Sequence, residues 1–431
     1  MSSSPSKVYI SCSGSDLIST FHLDLESGGG LTHVGDHSIS GGPGPLCLSP
    51  DGRVLHVSRR SSAQISSLSV LPTGLSVMRT VEEANNSVYI TTDKTGQYVL
   101  SCCNGEGGRI ASYRVDDAGA ISDGPAVSWL STSNGAHSIN VDPTNRHVYV
   151  PHVGWDGWPL AMHGGTDEER AAAKHAYGTD SDCIHTLSFD PSTGAMCPSA
   201  VLRSDYPRGP RHLCFHPNLP IFYTTDEGSS TITAHSIAAD TGHPTAVQTV
   251  TTLPTRGRWE NCTVDIAIGI PGPQRQHVEA QLAQLQRVRA AHEMDEYNST
   301  SQLRIHHSGR YLFAPNRGHN SIALFSIDRQ GVLTPLQHVP TEPHVRGMDL
   351  DCSGRCLLAA GVTSGHVCVY TFEGERLEGG GDKAADLARR LRFAGRYNVS
   401  GVPTVNGEDN GDSKPMWIVI APKSTDAQSR I

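Results

Sequence analysis

Along most of the chain, apolar and polar residues alternate over short stretches, and each stretch ends in a cluster of Pro, Asp, Ser, Asn or Gly. Period-2 alternation predicts half-buried strands, and the punctuating residues are those that close tight turns. The unit recurs: strand, tight turn, strand, small polar loop, strand. It reads LCLSPDGRVLHVSRRSSAQISSLSV from Leu46, VYITTDKTGQYVLSCCNGEGGRIASYRV from Val88 and HSINVDPTNRHVYVPHVG from His137. It returns as RHLCFHPNLPIFYTTDEGSSTITAHSI from Arg211, QLRIHHSGRYLFAPNRGHNSIALFSI from Gln302 and RGMDLDCSGRCLLAAGVTSGHVCVYTF from Arg346.

The turn positions Gly52, Gly96, Asn145, Leu219, Gly309 and Gly354 are separated by 44, 49, 74, 90 and 45 residues. Three steps set a period of about 45, and the two long ones add about 27 and about 45 residues, as loop insertions in a blade array do. KVYISCSGSDLISTFHLD from Lys7 supplies later strands of a seventh unit, which the C-terminal part completes by pairing across the ring. Closure removes the two exposed edges of an open array. The expected fold is all-β: a seven-bladed β-propeller spanning 1–431 as one domain, with helical or loop insertions at about 155–181 and 255–298.

The first insertion holds TDEERAAAKHAY, a helix candidate behind the cap-like Thr166 and Glu169. In the second, Val278, Leu282, Leu285 and Val288 fall on one helical face behind Pro271 and Pro273. Residues 374–431 read as a partly flexible tail, with a short helix candidate over Lys383–Arg392 and disorder in the last dozen residues.

In such hairpins, residues before the first strand and after the second meet at one end of the ring. Those before the turns are Gly44, Val88, His137, Arg211 with His212, Gln302 and Arg346; those after are Arg59 with Arg60, Asn104, His152, Asp226 with Glu227, Arg317 and Gly361. Imidazoles, guanidiniums and carboxylates therefore converge, whereas the opposite end carries turn residues such as Asp51, Lys94, Asn145 and Ser308. These types suit attack of water on an activated ester. A neutral histidine takes a proton, a carboxylate orients, and arginines stabilise the developing alkoxide and hold an anion. Arg59, Arg211, Arg317 and Arg346 at one mouth favour phosphate or carboxylate.

Charge and composition narrow the classes. A net charge of -9 argues against a nucleic-acid binder, and no apolar run reaches a membrane span. The 11 cysteines lack zinc-type pairing and read as buried thiols of a reducing interior. Serine-hydrolase elbows, P-loops and zincin motifs are absent from the sequence. No cofactor or metal is expected, although Glu227, Asp226 and Asn316 offer oxygens that suit Ca²⁺ or Mg²⁺. The start of the chain lacks a signal-peptide pattern, which makes a cytoplasmic location the expectation; the terminal Ser429-Arg430-Ile431 is a loose peroxisomal alternative.

GAHSINVDPTNRHVYV, RGPRHLCFHPNLPIFYTTDEGSSTITAHS and APNRGHNSIALFSID resemble segments of the seven-bladed lactonase family that includes propeller-type 6-phosphogluconolactonases and fungal 3-carboxy-cis,cis-muconate lactonising enzymes. The resemblance covers roughly residues 7–373 outside the insertions. It implies sugar-lactone hydrolysis without an obligatory metal, 6-phosphogluconolactone of the pentose phosphate pathway being the leading case. Carried onto this chain, His137 is the general base, Glu227 assists or orients water, and Arg211 and Arg317 bind the carbonyl oxygen and an anionic tail. His152, His212, Asn316, Arg346, Arg59 and Gln302 form the expected substrate-binding set. Gln302 and His152 replace acidic residues usual in the family, and the insertions are placed where they could cover the mouth. Two other readings stay open: a muconate-type lactonising cycloisomerase, and a non-catalytic propeller whose insertions bind a protein.

Overall fold

The computed structural model describes residues 5–83, 86–105, 107–153, 182–204, 208–254, 270, 272–292, 298–372, 391–399 and 414–422. Seven antiparallel sheets follow one another around a ring. Blades 1 to 6 start from innermost strands Pro43–Leu48, Ser87–Thr92, Asn140–Val141, Pro210–Phe215, the broken pair Ser299–Thr300 and Arg304–Ile305, and Val345–Leu350. Blade 7 closes the ring. Its innermost strand is the C-terminal Pro415–Ile420, paired with Ser6–Cys12 at the other end of the chain (Val8 opposite Ile420, Ile10 opposite Ile418).

The repeated turn takes one conformation. Gly52, Gly96, Gly309 and Gly354 have φ of 72–73° and Asn145 has φ 59°, and each donates its N–H to the carbonyl three residues earlier. Left-handed φ suits Gly and tolerates Asn, which explains the residues found there. At Gly354 a Cβ would also clash with Nε2 of His306 on blade 5. The turns therefore serve inter-blade packing as well as chain reversal.

Apolar residues gather in clusters between neighbouring blades; one joins Tyr311, Phe313 and Leu324 to Met348, Leu357 and Tyr370. Tyrosines tie blades through their hydroxyls, Tyr149 donating to the carbonyl of Gly242 at 2.6 Å and Tyr223 to that of Gly331 at 2.9 Å. Each buries a large ring while satisfying its polar tip.

Two of the sequence expectations change. The region read as a partly flexible tail supplies the outermost strand of blade 6, Leu391–Asn398, which the sequence reading did not anticipate, as well as the C-terminal closing strand of blade 7, which it did. Weak local signal in Leu391–Asn398 is compensated by pairing with His366–Phe372. The helix candidate at Lys383–Arg392 lies outside the described residues except for Leu391 and Arg392, which are strand.

In the second insertion a helix, α1, spans Gly272–His292 with Pro273 in its first turn, a position where the missing N–H has no helical partner to lose. Val278 and Leu285 are buried in the cluster between blades 5 and 6, with Leu282 against it. Gln281 hydrogen-bonds both the N–H and the carbonyl of Arg396 on the outermost strand of blade 6. The described part of this insertion thus covers a sheet edge at the rim and not the mouth of the ring. The first insertion, with its helix candidate, lies outside the described residues. No helix among the described residues is long and apolar enough to cross a membrane.

Candidate active site

A cavity of ≈ 290 Å³ lies on the ring axis and draws lining residues from six of the seven blades and from the segment leading into the third. Blade 1 contributes Pro45 and Arg60, blade 2 Val88 and Asn104, and the segment before Asn140 contributes His137. Arg211 and His212 come from blade 4, Arg317 from blade 5, Arg346 from blade 6, and Met416 and Trp417 from the C-terminal strand.

A backbone device recurs at these positions. In blades 1, 2, 4, 6 and 7 the register of the innermost strand shifts at the cavity end, leaving Gly44–Pro45, Val88, Arg211, Arg346 and Met416 outside the regular pairing. A β-bulge re-aims side chains and lets adjacent residues share a face. Arg211 with His212, and Met416 with Trp417, therefore both line the cavity. Blade 5 has a broken innermost strand, and its arginine, Arg317, comes from the end of the second strand.

The electrostatics are lopsided. Arg60, Arg211, Arg317 and Arg346 line the cavity, with one carboxylate, Glu227, behind them. Glu227 Oε2 lies 3.0 Å from Arg211 Nε, and Oε1 accepts a short hydrogen bond from Arg317 Nη2, which also donates to the Thr300 carbonyl at 3.0 Å. The Arg211 contact is close but poorly aligned, and the Nε groups of Arg60, Arg211, Arg317 and Arg346 have no hydrogen-bond acceptor among the described residues. Burial alone would raise the Glu227 pKa, but Arg317 and Arg211 outweigh it and hold the carboxyl below its usual range. Burial lowers Arg211, with Glu227 pulling it up and Arg317 and Arg346 pushing it further down. Among the described residues, four crowded guanidiniums with one carboxylate, paired to two of them, leave an unmet demand for negative charge.

His137 is 6 % exposed, and its Nδ1 is buried without a well-aligned hydrogen-bond partner among the described residues. Burial first, then the charge of Arg211, holds its pKa well below 6.5. His212 packs edge-on to it at 5.1 Å and continues to Tyr89 at 5.4 Å and Trp417 at 6.0 Å, forming an aromatic wall. Both imidazoles are neutral at pH 7, since the same causes depress His212.

The structure brings together His137, Arg211, Arg317, His212 and Arg346 from the expected set. Glu227 stands behind the arginines and is not among the lining residues, so it meets the cavity through Arg211 and Arg317. Four more of the expected residues do not line it. Arg59 donates from Nε to the Ser40 carbonyl at 2.6 Å, and its neighbour Arg60 faces inward, because consecutive strand-end residues point to opposite sides. Asn316 is saturated by Thr252, Asn298 and Ser321, and Gln302 accepts the Met348 N–H at 2.9 Å as an inter-blade tie. His152 turns toward Thr132, with Nε2 2.9 Å from its hydroxyl.

The oxygen set offered for a cation is engaged elsewhere: Asp226 accepts hydroxyl hydrogen bonds from Thr224, Thr231 and Thr233, and Glu227 faces arginines. Sequence reasoning missed Met416 and Trp417, because nothing local distinguishes the closing strand from a tail. Asn104 and Val88 were at the right end but carried no chemistry that singled them out.

The fold agrees with comparisons to known proteins. The family profile described as "Lactonase, 7-bladed beta-propeller" matches residues 3–159 and 172–378. Among solved structures, a Lactobacillus plantarum protein superposes with TM-score 0.69 at 18 % identity, over 97 % of this chain and 99 % of its own. A Bacteroides uniformis protein provisionally named a 6-phosphogluconolactonase gives 0.68 at 19 % identity, over 96 % and 99 %. The Pseudomonas aeruginosa periplasmic gluconolactonase gives 0.68 at 16 % identity, over 97 % and 99 %. These structures share the fold, and the profile match over most of the chain places it: the protein belongs to the seven-bladed β-propeller lactonase family and is a lactonase.

Proposed function

We propose that this protein hydrolyses a phosphorylated sugar lactone, with 6-phosphogluconolactone as the leading substrate. The observation that carries the reading is the cavity in which Arg60, Arg211, Arg317 and Arg346 face one carboxylate already held by two of them. A dianionic phosphate answers that imbalance, and guanidinium forks match its oxygens. The volume of ≈ 290 Å³ is at the lower end of small-molecule sites, roughly 300–1,000 Å³, and suits a hexose-sized ligand.

In the proposed reaction, water attacks the lactone carbonyl while His137, unprotonated at neutral pH, accepts its proton. The tetrahedral oxyanion is stabilised by guanidinium N–H groups of Arg211 and Arg317. Collapse breaks the ring C–O bond, and the departing alkoxide takes the proton back from His137. The product is a hydroxy acid, which ionises to carboxylate and releases one proton to solvent.

A base held well below pH 6.5 is weak, because proton-transfer efficiency falls with basicity. The arginines therefore carry the larger share of the acceleration, each well-placed donor being worth roughly 10²–10³-fold. Glu227 acts as a positioning residue through the two guanidiniums it holds.

The test is proton release on adding freshly prepared 6-phosphogluconolactone, beside unphosphorylated gluconolactone, with wild type, His137→Ala and Arg211→Ala. The expected result is a clear preference for the phosphorylated lactone and a larger loss in kcat/KM for Arg211→Ala. Wild-type rates equal to spontaneous hydrolysis would remove this substrate. Turnover of a conjugated diene dicarboxylate, followed by ultraviolet absorbance, would then favour the lactonising direction.

A further inference from the structure

His152, Cys183 and His185 bring one ligand atom each to within 4.8 Å of one another, away from the residues that line the lactonase cavity. The ladder of blade 3 explains the grouping. His152 pairs directly with Cys183, and Val150 pairs with His185, so His152 and Cys183 share a sheet face and His185, two residues along, lies on the same face. The two rings are 4.5 Å apart. Thr132 and Ser133 border the cluster, their hydroxyls 2.9 Å from Nε2 of His152 and of His185.

His152 is 0 % exposed, and its Nδ1 is buried with no well-aligned hydrogen-bond partner among the described residues, the backbone of Val150 and Cys183 lying nearby. A buried polar atom left so calls for a physical cause, an ion among them. Two imidazoles and a thiol form a nitrogen and sulfur donor set, which selects zinc-type ions over Mg²⁺ or Ca²⁺.

We infer that His152, Cys183 and His185 form a binding site for a divalent ion of the zinc type. In tetrahedral coordination, bonds of about 2.0–2.3 Å put neighbouring ligand atoms about 3.4–3.8 Å apart, so the cluster closes by about 1 Å on binding. The Cys183 thiol releases its proton to solvent as its thiolate binds. The ion sits on Nδ1 of His152, since Nε2 is held by the Thr132 hydroxyl, and the fourth position is taken by water.

The location gives the ion a role. Ala136 forms an antiparallel bridge with His152, and the His137 N–H donates to the Pro151 carbonyl at 2.9 Å. An ion on His152 would brace the segment from Thr132 to His137, and so the placement of the histidine in the cavity. It acts as a structural clamp and takes no part in the hydrolytic step.

The experiment titrates the full chain, freed of metal by a chelator, with Co²⁺ followed by Zn²⁺ competition. The expected result is one Co²⁺ per chain with a thiolate-to-cobalt charge-transfer band, displaced by Zn²⁺. Cys183→Ser should abolish the band. His185→Gln, a milder change at a partly exposed position, should weaken affinity by more than the roughly 10–100-fold typical of a lost supporting contact. No charge-transfer band at saturating Co²⁺ in the wild type, or a band and affinity unchanged in folded His185→Gln, overturns the proposal. The wild-type titration and the milder variant decide the matter even if Cys183→Ser fails to fold. Lactonase activity is not the readout, so failure here is distinguishable from failure of the proposed reaction.

Discussion

Replacing Glu227 by Gln keeps the shape of the side chain and removes the one carboxylate among the described residues that faces the arginine cluster. Glu227 is 4 % exposed and touches Arg211 Nε at 3.0 Å and Arg317 Nη2 more closely still. The variant therefore leaves buried guanidinium charge uncompensated. Breaking a buried ion pair by neutralising one partner costs about 3–5 kcal/mol, a large fraction of the roughly 5–15 kcal/mol that holds a domain folded. Urea unfolding at pH 7.5 should show a loss of that size for Glu227→Gln.

Inorganic phosphate should then restore more stability to the variant than to the wild type, because the more cationic site binds it more tightly. Saturation at 100 times Kd is worth about 2.7 kcal/mol. In turnover, the released guanidiniums lose their alignment, and a misplacement of about 1 Å lowers kcat/KM by roughly 10²-fold. A Glu227→Gln variant within about 1 kcal/mol of wild type, with an equal response to phosphate, would refute the reasoning that the carboxylate organises the arginines.

Because His137 is held well below pH 6.5, kcat/KM should stay flat between pH 6 and 8; an acid limb centred near 6.5 would show that the active base is a different or less buried group. Stability behaves differently. His56, pushed down to about 4, and His235, pushed down to about 3, are buried neutral, while in the unfolded chain both titrate near 6.5. The unfolded state binds more protons below pH 6.5, so the stability present above 6.5 is lost as pH falls, by about 2 kcal/mol for each histidine at pH 5. Urea midpoints at pH 7.5 and 5 check this, and an unchanged midpoint contradicts it. Gly354→Ala should destabilise by more than about 1 kcal/mol, from its φ of 72° and the clash an added Cβ would make with the His306 ring; a wild-type melting curve would mean the turn relaxes.

Strand alternation and the spacing of Gly52, Gly96, Asn145, Gly309 and Gly354 were enough to determine the propeller, because a periodic constraint is stated many times along the chain. The same spacing identified which end of the hairpins carries His137, Arg211, Arg317 and Arg346. It could not choose between Arg59 and Arg60, since that choice depends on side-chain parity at the end of a strand. Nor could it foresee the bulges at Val88, Arg211, Arg346 and Met416, which break the period-2 rule on which the reading rests. Trp417 joined the cavity through pairing with residues some four hundred positions earlier, and local sequence carries no trace of such a contact. His152 lies at the expected strand end yet turns to Cys183 and His185, because its position on the ladder fixes which face it occupies. Local pattern decided the elements and their order. Register and ring closure, which depend on contacts between distant segments, decided which side chains meet.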